Sequence, residues 1–173
     1  WTQSPIPVDG THPLRIVYFG IKGGVGRSSA LLASAYHLLA QGKKILVLDA
    51  DFESPGVSAT LLADELRPDY GLLDWFALDA LRPDLAEDLI STKRLCERSG
   101  LDAMASGEGT VWAAPSFGRA TQDYVGKLGR LYQDVAEQGY VQRFKRLLES
   151  LEVQLTPDVV LIDSRAGIDD TAA

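Results

Sequence analysis

The sequence has a single cysteine, Cys96, among 173 residues. One thiol closes no internal disulfide and provides no set of cysteine ligands for an iron–sulfur cluster. Long apolar runs are also missing: none approaches the ~20 residues that a membrane-spanning helix needs, and no signal-peptide pattern is visible. Positive charge is scarce. Lys and Arg number 17 against 24 Asp and Glu, a net charge of −7. That balance opposes nonspecific nucleic-acid binding by the whole surface, because neutralising phosphates takes clustered cations. A cluster does occur at Arg143, Lys145 and Arg146; it reads first as a solvated helix face, with a local nucleic-acid patch as the alternative. What remains is 46% hydrophobic and 24% charged, enough for one domain with a sizeable core.

The densest information lies in Gly20-Ile21-Lys22-Gly23-Gly24-Val25-Gly26-Arg27-Ser28. Gly, four residues, Gly, Lys, then Ser or Thr is the pattern of a phosphate-binding P-loop; here Arg27 stands where the lysine is usual. Glycines let successive backbone N–H groups close around phosphate oxygens, and side chains at Gly23, Gly24 or Gly26 would obstruct that approach. The loop is expected to open into a helix near Arg27, whose N-terminal dipole adds to the attraction. Ser28 then offers a hydroxyl to Mg²⁺, a hard cation that takes oxygen ligands. The flanks agree. Leu14 to Phe19 reads as an apolar strand suited to the middle of a parallel sheet covered on both faces. Ser29 to Ala40 carries apolar residues at helical spacing, and Lys44 to Leu48 reads as a second strand. A glycine-rich turn without a ligand is the plainer alternative, and the strand–loop–helix–strand context argues against it.

Two acidic segments add to this. The second strand runs into Asp49-Ala50-Asp51, which places two carboxylates at the carboxyl edge of the sheet, where ligands bind in open α/β folds. Val159 to Ile162 is another apolar strand, ending in Asp163-Ser164-Arg165-Ala166-Gly167. It resembles a Walker B strand, with Asp163 set to hold Mg²⁺ or its water and Gly167 able to approach the γ-phosphate by its N–H. One aspartate after a strand is commonly a cap or turn residue; two such strands following a P-loop favour the functional reading.

These segments together resemble the deviant Walker A ATPases of the ParA/MinD type, within the SIMIBI class of P-loop proteins. The resemblance rests on Lys22 to Ser28, Asp49-Ala50-Asp51 and Asp163 to Gly167. A bacterial subgroup is similar in more detail, through Lys-Gly-Gly-Val-Gly-Arg-Ser, Glu53-Ser54-Pro55-Gly56 and Ile162-Asp163-Ser164-Arg165-Ala166-Gly167. It implies an α/β, P-loop NTPase-like fold, a mostly parallel sheet with helices on both faces. It implies ATP and Mg²⁺ as cofactors and an ATP-sandwich homodimer, in which Lys22 reaches the partner's phosphates. Asp51 would orient the attacking water, Asp49 would lie near the Mg²⁺ shell, and Ser28 and Asp163 would hold the metal. The nucleotide would lie on Lys22, Gly23, Gly24, Val25, Gly26, Arg27, Ser28, Ser29 and Gly167. Arg27 is an expected variant in that subgroup, yet its broad planar guanidinium differs from a compact ammonium. Binding is therefore expected to survive better than turnover.

Elsewhere the reading is coarser. Leu72 to Phe76 is expected to be a short helix with Trp75 and Phe76 as core or docking residues, and Leu85 to Ser99 to be helical or irregular. Thr110 to Ala114 is expected to form a strand able to lie beside the P-loop strand. Asp123 to Gln138 and Tyr140 to Leu151 read as helices, with Tyr124, Tyr132 and Tyr140 half-buried packing residues. Residues 1–13, with Pro5, Pro7 and Pro13, read as an extended lead-in, and 14–173 as the N-terminal portion of a ParA/MinD-like ATPase domain lacking the C-terminal part of the fold. The functional expectation is a cytoplasmic Mg²⁺-ATP switch that dimerises, hydrolyses ATP and signals to a protein partner. The alternatives are a noncatalytic nucleotide-binding scaffold or sensor and, less favoured, a P-loop enzyme acting on a small molecule.

Overall fold

The computed structural model describes residues 12–104, 108–136 and 139–166. Five strands form one sheet in the order β1-β5-β2-β4-β3: β1 Leu14–Gly20, β2 Lys44–Ala50, β3 Glu97–Arg98, β4 Thr110–Ala114 and β5 Val159–Ala166. All neighbours are parallel except β3, which runs antiparallel to β4. The helices are α1 Arg27–Ala40, α2 Val57–Leu61, α3 Leu72–Asp79, α4 Pro83–Ser91, α5 Tyr124–Ala136 and α6 Tyr140–Leu155. None among the described residues is long and apolar enough to cross a membrane.

Alternation along the central strands divides the core into two layers. Ile45 and Val47 of β2, with Val159 and Leu161 of β5, face Leu31, Ala35 and Leu39 of α1 and Val57 and Leu61 of α2. Leu46, Leu48, Val160 and Ile162 point to the other face, against α3, α4 and α6. Strands buried on both faces need continuous apolar runs, which β2 and β5 have. Trp75 and Phe76 are buried in the second layer, with Phe76 stacked on Tyr140 and Phe144. They are core residues rather than a surface anchor.

Three expectations change. Among the described residues β1 is an edge strand with β5 as its neighbour, and its Leu14, Val17 and Phe19 are 53%, 53% and 45% exposed. β4 does not lie beside the P-loop strand but pairs with β2 and β3. Val111 and Ala113 on one face and Ala114 on the other extend both core layers beyond β2, while the place next to β1 goes to β5. Of the expected solvated face, Lys145 and Arg146 are exposed, at 63% and 50%, while Arg143 is 13% exposed; both Arg143 and Arg146 bind the buried carboxylate of Asp79 on α3, Arg143 through Nε at 2.7 Å. The stretch after Leu85 resolves into α4 followed by the short antiparallel β3.

Candidate functional site

The site is assembled where β1, β2 and β5 end. β5 lies between β1 and β2, so Asp163 is in register with Tyr18 on one side and with Asp49 on the other. Chain segments over a hundred residues apart thereby meet at one sheet edge, the place where open α/β sheets bind ligands.

The loop after β1 turns through two glycines in the left-handed region, Gly24 at φ 74° and Gly26 at φ 81°, a conformation that side chains with a Cβ resist. Cβ atoms built on Gly23, Gly24 or Gly26 would meet no protein atom within 4 Å. There is thus open space beside the loop at these three positions. Gly26 caps α1, whose first internal bond runs from the Ala30 N–H to the Gly26 carbonyl at 2.9 Å. The N–H groups of the preceding turn have no partner within the helix and offer a positive pole.

Beneath the loop, Arg27 forks between two carboxylates. Its Nε donates to Asp163 Oδ1 at 2.6 Å, and its Nη2 donates to Asp51 Oδ2. Burial alone would lower the guanidinium pKa, but the bond to Asp163 and the charges of Asp163 and Asp51 outweigh it and raise the value. Ser28 Oγ donates to Asp163 Oδ2 at 2.7 Å, and the Ser54 N–H donates to Asp51 Oδ1 at 3.1 Å. Arg27, Ser28, Asp51 and Asp163 are thus brought together.

Asp49 is placed differently. Its Oδ2 accepts from the Ser58 N–H at 3.1 Å and from Ser58 Oγ at 2.7 Å, while its buried Oδ1 has no hydrogen-bond partner among the described residues. Burial, partly offset by the Ser58 bonds, pushes its pKa up to about 6. Asp49, Asp51, Ser28 and Asp163 carry hard oxygens of the kind Mg²⁺ takes, but among the described residues no group of three or more acidic, His or Cys side chains is drawn together to hold a metal ion, and Arg27 bridges Asp51 and Asp163. Ser58 carried no signal in the sequence that would have singled it out.

Lys22, Val25 and Ser29 are exposed, and Lys22 makes no hydrogen bond or ion pair among the described residues. Gly167 lies outside the described residues, as do residues 1–11 of the expected lead-in. A cavity of about 310 Å³ is lined by Gly23, Gly24, Arg27, Asp51, Glu53, Ser54 and Arg165. A larger one, about 410 Å³, lies among α3, α4 and α5 around Leu78, Leu81, Leu85 and Lys127. Size favours the second, but chemistry favours the first, which joins glycine backbone, cations and carboxylates at the sheet edge. Glu53 and Arg165 stand at its mouth; the sequence showed them inside short motifs and gave neither a role.

No family model matches the chain. It is 32% identical over 117 residues to the cytosolic Fe-S cluster assembly factor CFD1 of Yarrowia lipolytica, a match covering 66% of this chain and 36% of that protein. With the cytosolic Fe-S cluster assembly factor cfd1 of Aspergillus fumigatus it shares 27% identity over 113 residues, 64% of this chain and 35% of the relative. A 47-residue stretch is 47% identical to the iron-sulfur cluster carrier protein of Salmonella typhimurium, covering 27% of this chain and 13% of that protein. The matches thus span about a third or less of these curated relatives. Among solved structures, the ATP complex of a Cyanothece McdA variant superposes with a TM-score of 0.60 at 18% identity, over 93% of this chain and 51% of that one. These relatives belong to the ParA/MinD-like P-loop ATPase class, and the fold of the chain is the P-loop NTPase-like, mostly parallel α/β fold.

Proposed function

We propose that residues 14–166 are the nucleotide-binding part of a Mg²⁺-ATP switch, a deviant Walker A ATPase that dimerises around ATP in the cytoplasm and signals to a protein partner. The observation that carries this reading is the meeting of Arg27, Ser28, Asp51 and Asp163 directly under a glycine loop with open space beside it. An ATP complex of a protein with this fold supports the choice of nucleotide.

In this reading the loop N–H groups and the start of α1 hold the phosphates. Bound Mg²⁺ would neutralise phosphate charge, and Ser28, Asp163 and the orphaned oxygen of Asp49 are the residues that would hold it or its waters. Asp51 orients a water toward the terminal phosphate. Lys22, exposed and without an ion pair among the described residues, is available to a second subunit and adds a cation where charge builds in the transition state. Positioned cations of that kind are worth on the order of 10³-fold in turnover.

The test is Lys22→Ala in the full-length protein, followed by ATP-dependent dimerisation and phosphate release. Dimerisation should be lost and turnover should fall by roughly 10³-fold; unchanged values for both would remove the central claim. Asp51→Ala should retain ATP binding and slow hydrolysis, and an unchanged single-turnover rate would remove its role.

A second reading is a nucleotide-binding sensor without turnover. It is favoured by Arg27, whose fork is already engaged by Asp51 and Asp163. Tight ATP binding with no sustained phosphate release would select it. The iron–sulfur handling named for the relatives is not proposed for this portion, where Cys96 is buried and burial pushes its thiol up to about 12.

A further inference from the structure

At the mouth of the glycine-loop cavity stands a second guanidinium. Arg165 Nη2 lies 2.9 Å from Glu53 Oε2, and Arg165 Nη1 lies 3.3 Å from the hydroxyl of Tyr132, which itself donates to Glu53 Oε1 at 2.6 Å. The guanidinium also sits over the Tyr132 ring, 5.7 Å from its centre. Three segments are joined by this contact: the loop after β2, the carboxyl end of β5, and α5.

Two arginines line the cavity, Arg27 and Arg165, and their situations differ. Arg27 is 11% exposed and its partners are more buried still, at 6% and 1%. Pulling it away would leave two buried carboxylates without a counter-charge, which is costly. Arg165 is 30% exposed and its partner Glu53 is 40% exposed, so water and salt already weaken that pair. The cavity needs cations for a polyphosphate, since its two arginines are each already matched by a lining carboxylate, Arg27 by Asp51 and Arg165 by Glu53. A planar guanidinium pairs with phosphate oxygens as readily as with a carboxylate, through two parallel N–H bonds. Arg165 follows Asp163 by two residues on β5, so its backbone is tied to the same sheet edge as the Asp163 carboxylate that holds Arg27 and Ser28.

We propose that Arg165 is a phosphate-contacting residue held in reserve by Glu53 and Tyr132, and that it exchanges the Glu53 carboxylate for the terminal phosphate of a bound nucleoside triphosphate. Glu53 is then a competitor for Arg165, and Tyr132 carries the nucleotide state to α5. The inference rests on the nucleotide reading above and adds to it a means of telling triphosphate from diphosphate within one subunit.

The experiment measures equilibrium affinities of Mg²⁺-ATP and Mg²⁺-ADP for the full-length protein and two variants. Arg165→Gln should weaken ATP binding about tenfold, the scale of one charge-assisted hydrogen bond, and ADP binding less than about twofold. Glu53→Gln should act in the opposite direction, tightening ATP a few-fold, on the order of a weak exposed ion pair, and leaving ADP unchanged. A purely structural latch would shift both nucleotides alike and move both variants the same way, which would overturn the proposal. If Arg165→Gln does not fold, the sign of the Glu53→Gln effect decides: no tightening overturns it. Wild-type protein that binds neither nucleotide would overturn the parent reading; wild type that binds ATP while Arg165→Gln keeps the same ATP-to-ADP ratio would overturn this inference alone.

Discussion

Two ionic triads of opposite composition sit in this fold, each around buried aspartate. At the sheet edge one arginine, Arg27, is shared by two aspartates, Asp51 and Asp163. Between α3 and α6 one aspartate, Asp79, is shared by two arginines, Arg143 and Arg146. The second is roofed by aromatic rings, with Arg143 5.5 Å from the centre of Phe76 and Arg146 5.8 Å from that of Trp75. The first opens onto a glycine loop, and beside it Asp49 keeps one oxygen without a partner among the described residues. The same two residue types therefore make a staple in one place and a candidate ligand site in the other. What differs is the cover, and the sign of the excess charge, negative at the sheet edge and positive between α3 and α6.

The largest effect expected of this contrast is on stability without metal. Arg27→Gln leaves two buried carboxylates facing each other and should cost about 4 kcal/mol by urea denaturation in EDTA. Millimolar Mg²⁺ should recover much of it, since a divalent ion supplies the missing charge. Asp79→Ala strips the carboxylate from Arg143 and should cost about 3 kcal/mol, less because Arg146 is half in water. Magnesium should not help it. Rescue of both variants, or of neither, would erase the distinction between the triads.

A smaller effect concerns Asp49. Its folded pKa, about 6, lies above the ordinary 3.8, so the folded state holds the proton more tightly than the unfolded chain does. The associated stability is fully present below pH 3.8 and is lost as pH rises through about 6, a loss of about 3 kcal/mol. Asp49→Asn should flatten that slope in metal-free protein and be the more stable form at pH 7. Thermal unfolding at pH 4 and pH 7 reads this directly, and parallel behaviour of the two proteins would refute it.

The smallest expected change is in Lys22→Ala, which should alter the free energy of unfolding by no more than about 0.5 kcal/mol in urea denaturation, because the side chain is exposed and makes no bond among the described residues. Set beside its proposed effect on turnover, that would separate a residue kept for function from those that also hold the fold.

Legibility followed the range of the interactions. β1, the glycine loop, α1 and β2 could be read because apolar runs, glycines and helical spacing are local signals. α6 was found too, and extends to Leu155. The role of Arg143 and Arg146 was not legible, because their partner Asp79 is 64 residues from Arg143 in the chain. Nor was Ser58, which is an ordinary helix residue until Asp49 is packed against it. β4 was recognised as a strand but misplaced, since pairing order depends on which strand fills the gap beside β1.

By itself the sequence determined the glycine loop and the helix that follows it, the apolar strands that end in aspartates, and a charge balance unsuited to nonspecific nucleic-acid binding. These depend on backbone freedom, side-chain period and composition, which neighbours in the chain supply. Only the tertiary structure decided that β5 enters between β1 and β2, that Arg27 is spanned by Asp51 and Asp163, and that Arg165 pairs with Glu53 at the cavity mouth. Those outcomes depend on which segments the two-layered core brings to the same edge, and burial there gives each charge its worth.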